Sequence, residues 1–173
     1  LCGECAKVCS SEALAVIGRW LTVEQVLAEA ERDLVFYETS QGGITVSGGE
    51  PLAQAEFVAE LLKAGKARGL TTAIETAGYA SWPAVEQVVR YTDLILYDLK
   101  HIDPEKHKLG TGVKNDLILE NFARILKEAP ERIIPRIALI PSFNTDSSSI
   151  SQFISFLKEA GYSGEVHLLP YHS

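Results

Sequence analysis

Methionine is absent from the sequence, cysteine occurs only at positions 2, 5 and 9, and no apolar run reaches the ~18 to 20 residues that span a bilayer. With no Met and a start at Leu1, the sequence reads as a piece of a longer chain, cut at both ends. An odd number of cysteines crowded into one segment suits a disulfide framework poorly. No charged segment leads into an apolar one at the start, so no secretory leader is read. Positive charge is scarce too: 16 Lys and Arg stand against 23 Asp and Glu, a net charge of −7. A chain without a cationic field is a poor partner for nucleic acid or an anionic membrane, and neither is expected. A soluble, cytoplasmic protein is expected instead. What the chain does have is 46 % hydrophobic residues over 173 positions, enough for one domain with a substantial core and too short for two.

Cys2, Cys5 and Cys9 are spaced C-x2-C-x3-C, which matches the last three cysteines of the bacterial ferredoxin run if one more Cys precedes Leu1. Soft, anionic thiolates suit iron in such a cluster; Cys2 and Cys5 would share one 4Fe-4S cluster and Cys9 would serve its neighbour. A structural zinc site would need a second Cys pair, which the sequence does not contain. Ser10 stands where such runs usually carry Pro. In this chain on its own, the three residues are expected as free, iron-less thiols at a mobile end.

Beyond Trp20, short β-branched runs alternate with amphipathic stretches, the pattern of an α/β protein with a parallel sheet. Strands are expected at 43–47, 71–76, 94–99, 133–140 and 166–169. Helices are expected at 22–33, opened by a Thr22/Gln25 capping box, at 54–68 ending on Gly69, and at 83–91, 116–128 and 149–160. Ile118, Phe122, Ile125 and Leu126 form one core stripe, and Ile150, Phe153, Ile154 and Leu157 another. Five strand–helix units make either an open doubly wound sheet or an incomplete (β/α) barrel, a complete one needing ~250 residues. In both, ligands collect at the carboxyl ends of the strands.

Those ends carry charge and bare backbone. Gly48 and Gly49 let a ligand approach the main chain, and Glu50 offers an acceptor for an ammonium group. Glu75 and Thr76 close the second strand. Asp98 and Lys100 fall on one face after the third, where they need each other or a ligand. Arg136 is a guanidinium inside an apolar run and needs an anion, and His172 follows the last strand.

Together with Phe36-Tyr37, the run Gly42 to Leu52, Glu75 to Tyr79, Asp98 to His101, His107 with Thr111-Gly112, Asn115 with Ile118 to Asn121, Pro141 to Asn144 and Leu169 to His172, these residues resemble the glycyl-radical-enzyme activating enzymes. That family, which includes pyruvate formate-lyase activating enzyme, belongs to the radical S-adenosylmethionine superfamily; the early cysteines resemble the ferredoxin-like insert of its longer members. The resemblance implies residues 1–19 as a remnant of that insert and 20–173 as a partial radical SAM (β/α) barrel. It implies S-adenosylmethionine held across a 4Fe-4S cluster, reductive cleavage to a 5′-deoxyadenosyl radical, and hydrogen abstraction from a glycine of a partner glycyl radical enzyme. Reduced flavodoxin or ferredoxin would donate the electron.

By the same resemblance, Gly48, Gly49 and Glu50 would hold the methionine amino group, and Glu75 and Thr76 would line the cofactor with room for a monovalent cation. Asp98 and Lys100 would contact its carboxylate or ribose, and Arg136 and His172 would complete the pocket. Two departures stand out. The C-x3-C-x2-C loop of the superfamily is missing, so this chain alone is expected to be inactive, and Ser142 replaces the usual Gly after Pro141. Two other classes remain open: a metal-free α/β barrel enzyme using Lys100 and Arg136 on a small anionic substrate, and an iron–sulfur electron-transfer module. A barrel requires sequential parallel strands with the rim residues facing one opening, and an outer edge near Gly43 covered by the N-terminal segment or a neighbouring chain.

Overall fold

The five β-branched runs form five parallel strands: β1 (Gly43–Val46), β2 (Thr71–Thr76), β3 (Leu94–Asp98), β4 (Ile133–Leu139) and β5 (His167–Pro170). They lie in one sheet in sequential order, as an incomplete barrel requires and a doubly wound sheet with its switch point does not. In this computed structural model, residues 2–171 are described. Each expected strand is present within about one residue at either end. Pro135 is tolerated inside β4 because pairing with β5 starts only at Arg136 and His167, so its missing N–H precedes that ladder.

The helices are α1 (Glu4–Lys7), α2 (Val23–Ala30), α3 (Leu34–Ser40), α4 (Ala55–Ala67), α5 (Trp82–Val89), α6 (Pro104–Thr111), α7 (Asp116–Glu128) and α8 (Ser147–Glu159). The capping box at α2 forms as read: Gln25 N donates to Thr22 Oγ1 at 3.2 Å, and Thr22 N to Gln25 Oε1 at 2.9 Å. Gly69 ends α4 in the left-handed conformation, φ +80°. Helices α1, α3 and α6 were not anticipated. Among the described residues α1 and α3 have no fully buried residue, although Leu34 and Tyr37 of α3 pack against Leu27, Leu61 and Leu70, and α6 buries only His107. Its punctuation is plain in retrospect: Asp103 Oδ1 accepts from Glu105 N and Lys106 N, Pro104 opens the first turn, and Gly112 closes it at φ +87°.

Alternate residues of the sheet face opposite ways. Thr72, Ile74, Thr76, Ile95, Tyr97, Ile133 and Ile137 lie under the helices with Leu62, Val88, Phe122, Ile125 and Phe153, and all are buried. Tyr97 is wholly enclosed; its hydroxyl donates to Ile118 O at 2.7 Å, and burial pushes its pKa far up. The opposite face, carrying Ala73, Glu75, Leu96, Asp98, Ile134 and Arg136, remains half-open. The α7 stripe packs as expected, whereas the α8 stripe is narrower than read: Phe153 and Leu157 are buried but Ile154 is 49 % exposed. Along the outer edge of β1, no backbone hydrogen bond joins the N-terminal segment to the strand among the described residues. No helix among those residues is long and apolar enough to cross a membrane.

Candidate functional site

At the carboxyl end of the sheet four neighbouring strands contribute to one chain of polar contacts. Ser47, just past β1, donates from Oγ to Glu75 Oε2 at 2.8 Å. Arg136 Nη1 donates to Glu75 Oε1 at 2.8 Å, while its Nε and Nη2 each reach Asp98 Oδ1 at 2.8 Å. The register explains the clasp. Asp98 is paired with Arg136 across β3 and β4, so both side chains leave the same face side by side. Hydrogen bonds from Ser47 and then Arg136 hold the Glu75 carboxyl below its ordinary pKa. Burial works against the charge on Arg136, but the bonds to Glu75 and Asp98 outweigh it and keep the guanidinium firmly protonated.

Asp98 therefore pairs with Arg136 and not with Lys100, and the anion that Arg136 needs comes from the chain itself. Sequence separations of 38 and 61 residues put these partners beyond the reach of local pattern. The Lys100 side chain makes no hydrogen bond or ion pair among the described residues; its carbonyl accepts from Asn144 Nδ2 at 2.9 Å.

Glu50 stitches the turn after β1 to the end of β2. Its Oε1 accepts from Leu52 N at 3.0 Å and Thr76 Oγ1 at 2.6 Å, and its Oε2 from Ala77 N at 3.0 Å. A carboxylate has about four acceptor positions, so roughly one remains for a ligand. Thr76 is buried and accepts from Gly78 N at 2.9 Å, making it part of this stitch.

The glycines between Ser47 and Glu50 are not alike. Gly48 has φ +127°, which alone demands glycine. Gly49 has no positive φ, and a Cβ built there would meet nothing within 4 Å. Every other described glycine either has a positive φ or would press a Cβ against a neighbour, as Gly78 would against the Tyr97 hydroxyl at 1.8 Å. Neither conformation nor packing within the chain therefore requires glycine at 49. The position leaves bare backbone open at the rim, beside Glu50.

Three buried asparagines, whose roles sequence reasoning missed, hold the loops around this rim. Asn121 Nδ2 donates to Gly78 O and Ala80 O, each at 2.8 Å; Asn115 Nδ2 donates to His101 O and Ile102 O at 2.8 and 2.7 Å. Asn144 bridges the ends of β3 and β4. A signal existed for Asn121, a polar residue on the apolar stripe of α7, where burial demands hydrogen-bond partners. Ser142 takes φ +64°, so the turn uses the left-handed conformation that a glycine would adopt more easily.

Gly48, Gly49, Glu50, Glu75, Thr76, Asp98, Lys100 and Arg136 thus belong to one rim. His172 lies outside the described residues. Cys2, Cys5 and Cys9 sit on the N-terminal segment as free thiols. Cys9 Sγ lies 3.5 Å from Ser11 Oγ, a contact that lowers its pKa, and no described hydrogen bond joins the cysteines to the rim. Among the described residues no group of three or more His, Cys, Asp or Glu is arranged to hold a metal ion.

Comparison with known proteins adds a lineage to this geometry. The family model described as Radical SAM superfamily matches residues 8–154. An isethionate sulfite-lyase activating enzyme of Oleidesulfovibrio alaskensis is 42 % identical over 99 % of this chain and 57 % of its own length. A trans-4-hydroxy-L-proline dehydratase activating enzyme of Clostridioides difficile is 41 % identical over 94 % of this chain and 54 % of its own. A crystal structure of a domain of pyruvate-formate lyase-activating enzyme from Bacteroides vulgatus superposes with a TM-score of 0.70 at 38 % identity, covering 76 % of this chain and 82 % of that one. The chain spans about half the length of the curated relatives it matches.

Proposed function

The chain belongs to the radical SAM superfamily, and on that premise we propose that the whole protein is an activating enzyme that uses S-adenosylmethionine and a 4Fe-4S cluster to install a glycyl radical on a partner enzyme. The observation that carries the cofactor assignment is Gly49, a glycine that no feature of the chain itself explains, beside a carboxylate with acceptor capacity to spare. Charge agrees. Glu50, Glu75 and Asp98 against Arg136 and Lys100 leave the rim with one net negative charge, and S-adenosylmethionine, with its sulfonium, ammonium and carboxylate, carries one net positive charge.

Each residue then has a task. The bare backbone at Gly48 and Gly49 admits the methionine end, and the free acceptor position of Glu50 takes its ammonium. Lys100, the rim cation without a described partner, takes the carboxylate. Glu75 and Asp98 keep acceptor capacity for ribose hydroxyls or a monovalent cation, while Arg136 holds both ionised and fixed in place. When bound, S-adenosylmethionine with a reduced cluster supplies the one-electron chemistry that removes hydrogen from a glycine. The cluster itself fits this chain poorly, since Cys2, Cys5 and Cys9 form no metal-holding group among the described residues. We assign those cysteines, within residues 1–19, to the ferredoxin-like element that receives an electron from a reduced flavodoxin or ferredoxin in the cytoplasm.

A metal-free enzyme acting on an anion is disfavoured, because Arg136, one of the two cations it needs, is already clasped by two carboxylates. The test is anaerobic reconstitution of the whole protein with iron and sulfide, S-adenosylmethionine, a reductant and a candidate glycyl radical enzyme. A glycyl radical signal on the partner by electron paramagnetic resonance, dependent on S-adenosylmethionine, is expected. A protein that takes up iron and sulfide yet shows no affinity for S-adenosylmethionine would overturn the assignment in favour of an electron carrier.

A further inference from the structure

The last rung between β3 and β4 is Leu99 N donating to Arg136 O at 2.8 Å. Beyond it β4 runs on to Leu139, while β3 has ended at Asp98. Backbone groups of alternate residues point to the same side of a strand. Ala138 O and Ile140 N therefore face the side that β3 has left. The fully buried side chain of Asn144 fills that gap: Oδ1 accepts from Ile140 N at 2.8 Å, and Nδ2 donates to Ala138 O at 2.8 Å and to Lys100 O at 2.9 Å. With two carbonyls on one side and an N–H on the other, the amide has only one orientation. The turn that delivers it is seated by Phe143, whose ring lies against Gly110 and 5.3 Å from the His101 ring.

We propose that Asn144 is the positioning residue for Lys100, acting as a substitute rung that fixes the Lys100–His101 peptide and so the direction in which the lysine leaves the rim. A lysine is a point charge on a flexible four-carbon stem, and the chain can aim it only by fixing the backbone from which it starts. Asn144 need not touch the ligand. The assignment rests on the reading above, in which Lys100 takes the carboxylate of S-adenosylmethionine.

The test is a double-mutant cycle on the whole, cluster-loaded protein, with S-adenosylmethionine affinity measured by equilibrium dialysis for wild type, Lys100→Ala, Asn144→Ser and the double variant. Lys100→Ala is expected to weaken binding about tenfold or more, the scale of a lost charge-assisted contact. Asn144→Ser is expected to weaken it severalfold, and the double variant to bind no worse than Lys100→Ala alone. Losses that multiply would mean that Asn144 acts on something other than Lys100 and would overturn the proposal, while leaving the role of Lys100 intact. Wild-type affinity in Lys100→Ala would instead remove the role of Lys100 and the proposal with it. Asn144→Asp, which keeps the acceptor for Ile140 N but turns an oxygen toward both carbonyls, runs through the same cycle if the serine variant does not fold.

Discussion

Gly49→Ala separates ligand from fold more cleanly than any other single change at this rim. Its backbone has no positive φ and its missing Cβ would meet no atom within 4 Å, so alanine fits the folded chain without strain. Replacing such a glycine restricts the unfolded chain and stabilises by about 0.4 to 1 kcal/mol. For a domain of this size that is a rise in Tm of at most ~2 to 4 °C. On the proposed function, the same methyl group stands where S-adenosylmethionine approaches the main chain. Losing one hydrogen bond to a charged group there costs roughly 1.5 to 3 kcal/mol, or about ten- to 150-fold in affinity. Gly78→Ala is the internal control. Its φ is +68° and its Cβ would fall 1.8 Å from the Tyr97 hydroxyl, so both the left-handed backbone and a displaced buried ring count against it. At least ~2 kcal/mol of destabilisation is expected, on the scale of a lost buried hydrogen bond added to left-handed strain. Thermal melts and S-adenosylmethionine binding on the two variants of the whole protein check the pair. Gly49→Ala with raised Tm and unchanged affinity would refute the inference that glycine is there for a ligand.

Arg136→Met leaves two neighbouring carboxylates without their cation. Because each is still about one-third exposed, a loss near 2 kcal/mol is expected by denaturant unfolding, below the ~3 to 5 kcal/mol of a fully buried pair. Glu75 has a depressed folded pKa, so its contribution is present above the ordinary carboxylate value of about 4.3 and is lost as pH falls through the folded value. Ser47→Ala removes the largest cause of that depression, and melts between neutral and acid pH should show stability falling off at higher pH than in wild type; superimposable profiles would contradict it. Ser142→Gly relieves a left-handed residue, a gain of ~1 to 2 kcal/mol partly offset by the added freedom of the unfolded chain. A Tm between unchanged and a few degrees higher is expected, and a clear drop would mean that the serine hydroxyl matters to the turn.

Strands and their order were legible because each unit is short, β-branched and followed by an amphipathic helix, and because sequential parallel pairing leaves few alternatives. Rim residues were legible because charge and glycine are conspicuous at the ends of apolar runs. What escaped was pairing. Nothing local says that Arg136 will close on Asp98 and Glu75 and leave Lys100 alone, since that follows from which strands become neighbours and in what register. Helix α6 escaped because periodicity is a signal of burial, and a helix that buries one histidine has almost none. Ile154 misled for the converse reason: its spacing on α8 is right for a stripe, but a helix covering only part of a sheet needs fewer apolar rows than the sequence offers.

For directed evolution, the alternation along β2, β3 and β4 acts as a ready-made partition between scaffold and chemistry. A randomised library at Ala73, Leu96 and Ile134 samples the half-open face, where new side chains meet solvent or ligand and the hydrophobic core is left alone. The same degeneracy at Ile74, Tyr97 or Ile133 would return mostly unfolded clones, because those positions are sealed under helices. One residue in two is thus free to drift toward a new ligand while its neighbours preserve the architecture. Glu75, Asp98 and Arg136 are the exception on the free side: bound to one another by charge, they can be traded only as a set, so a route to altered recognition runs through concerted replacement and not through single steps.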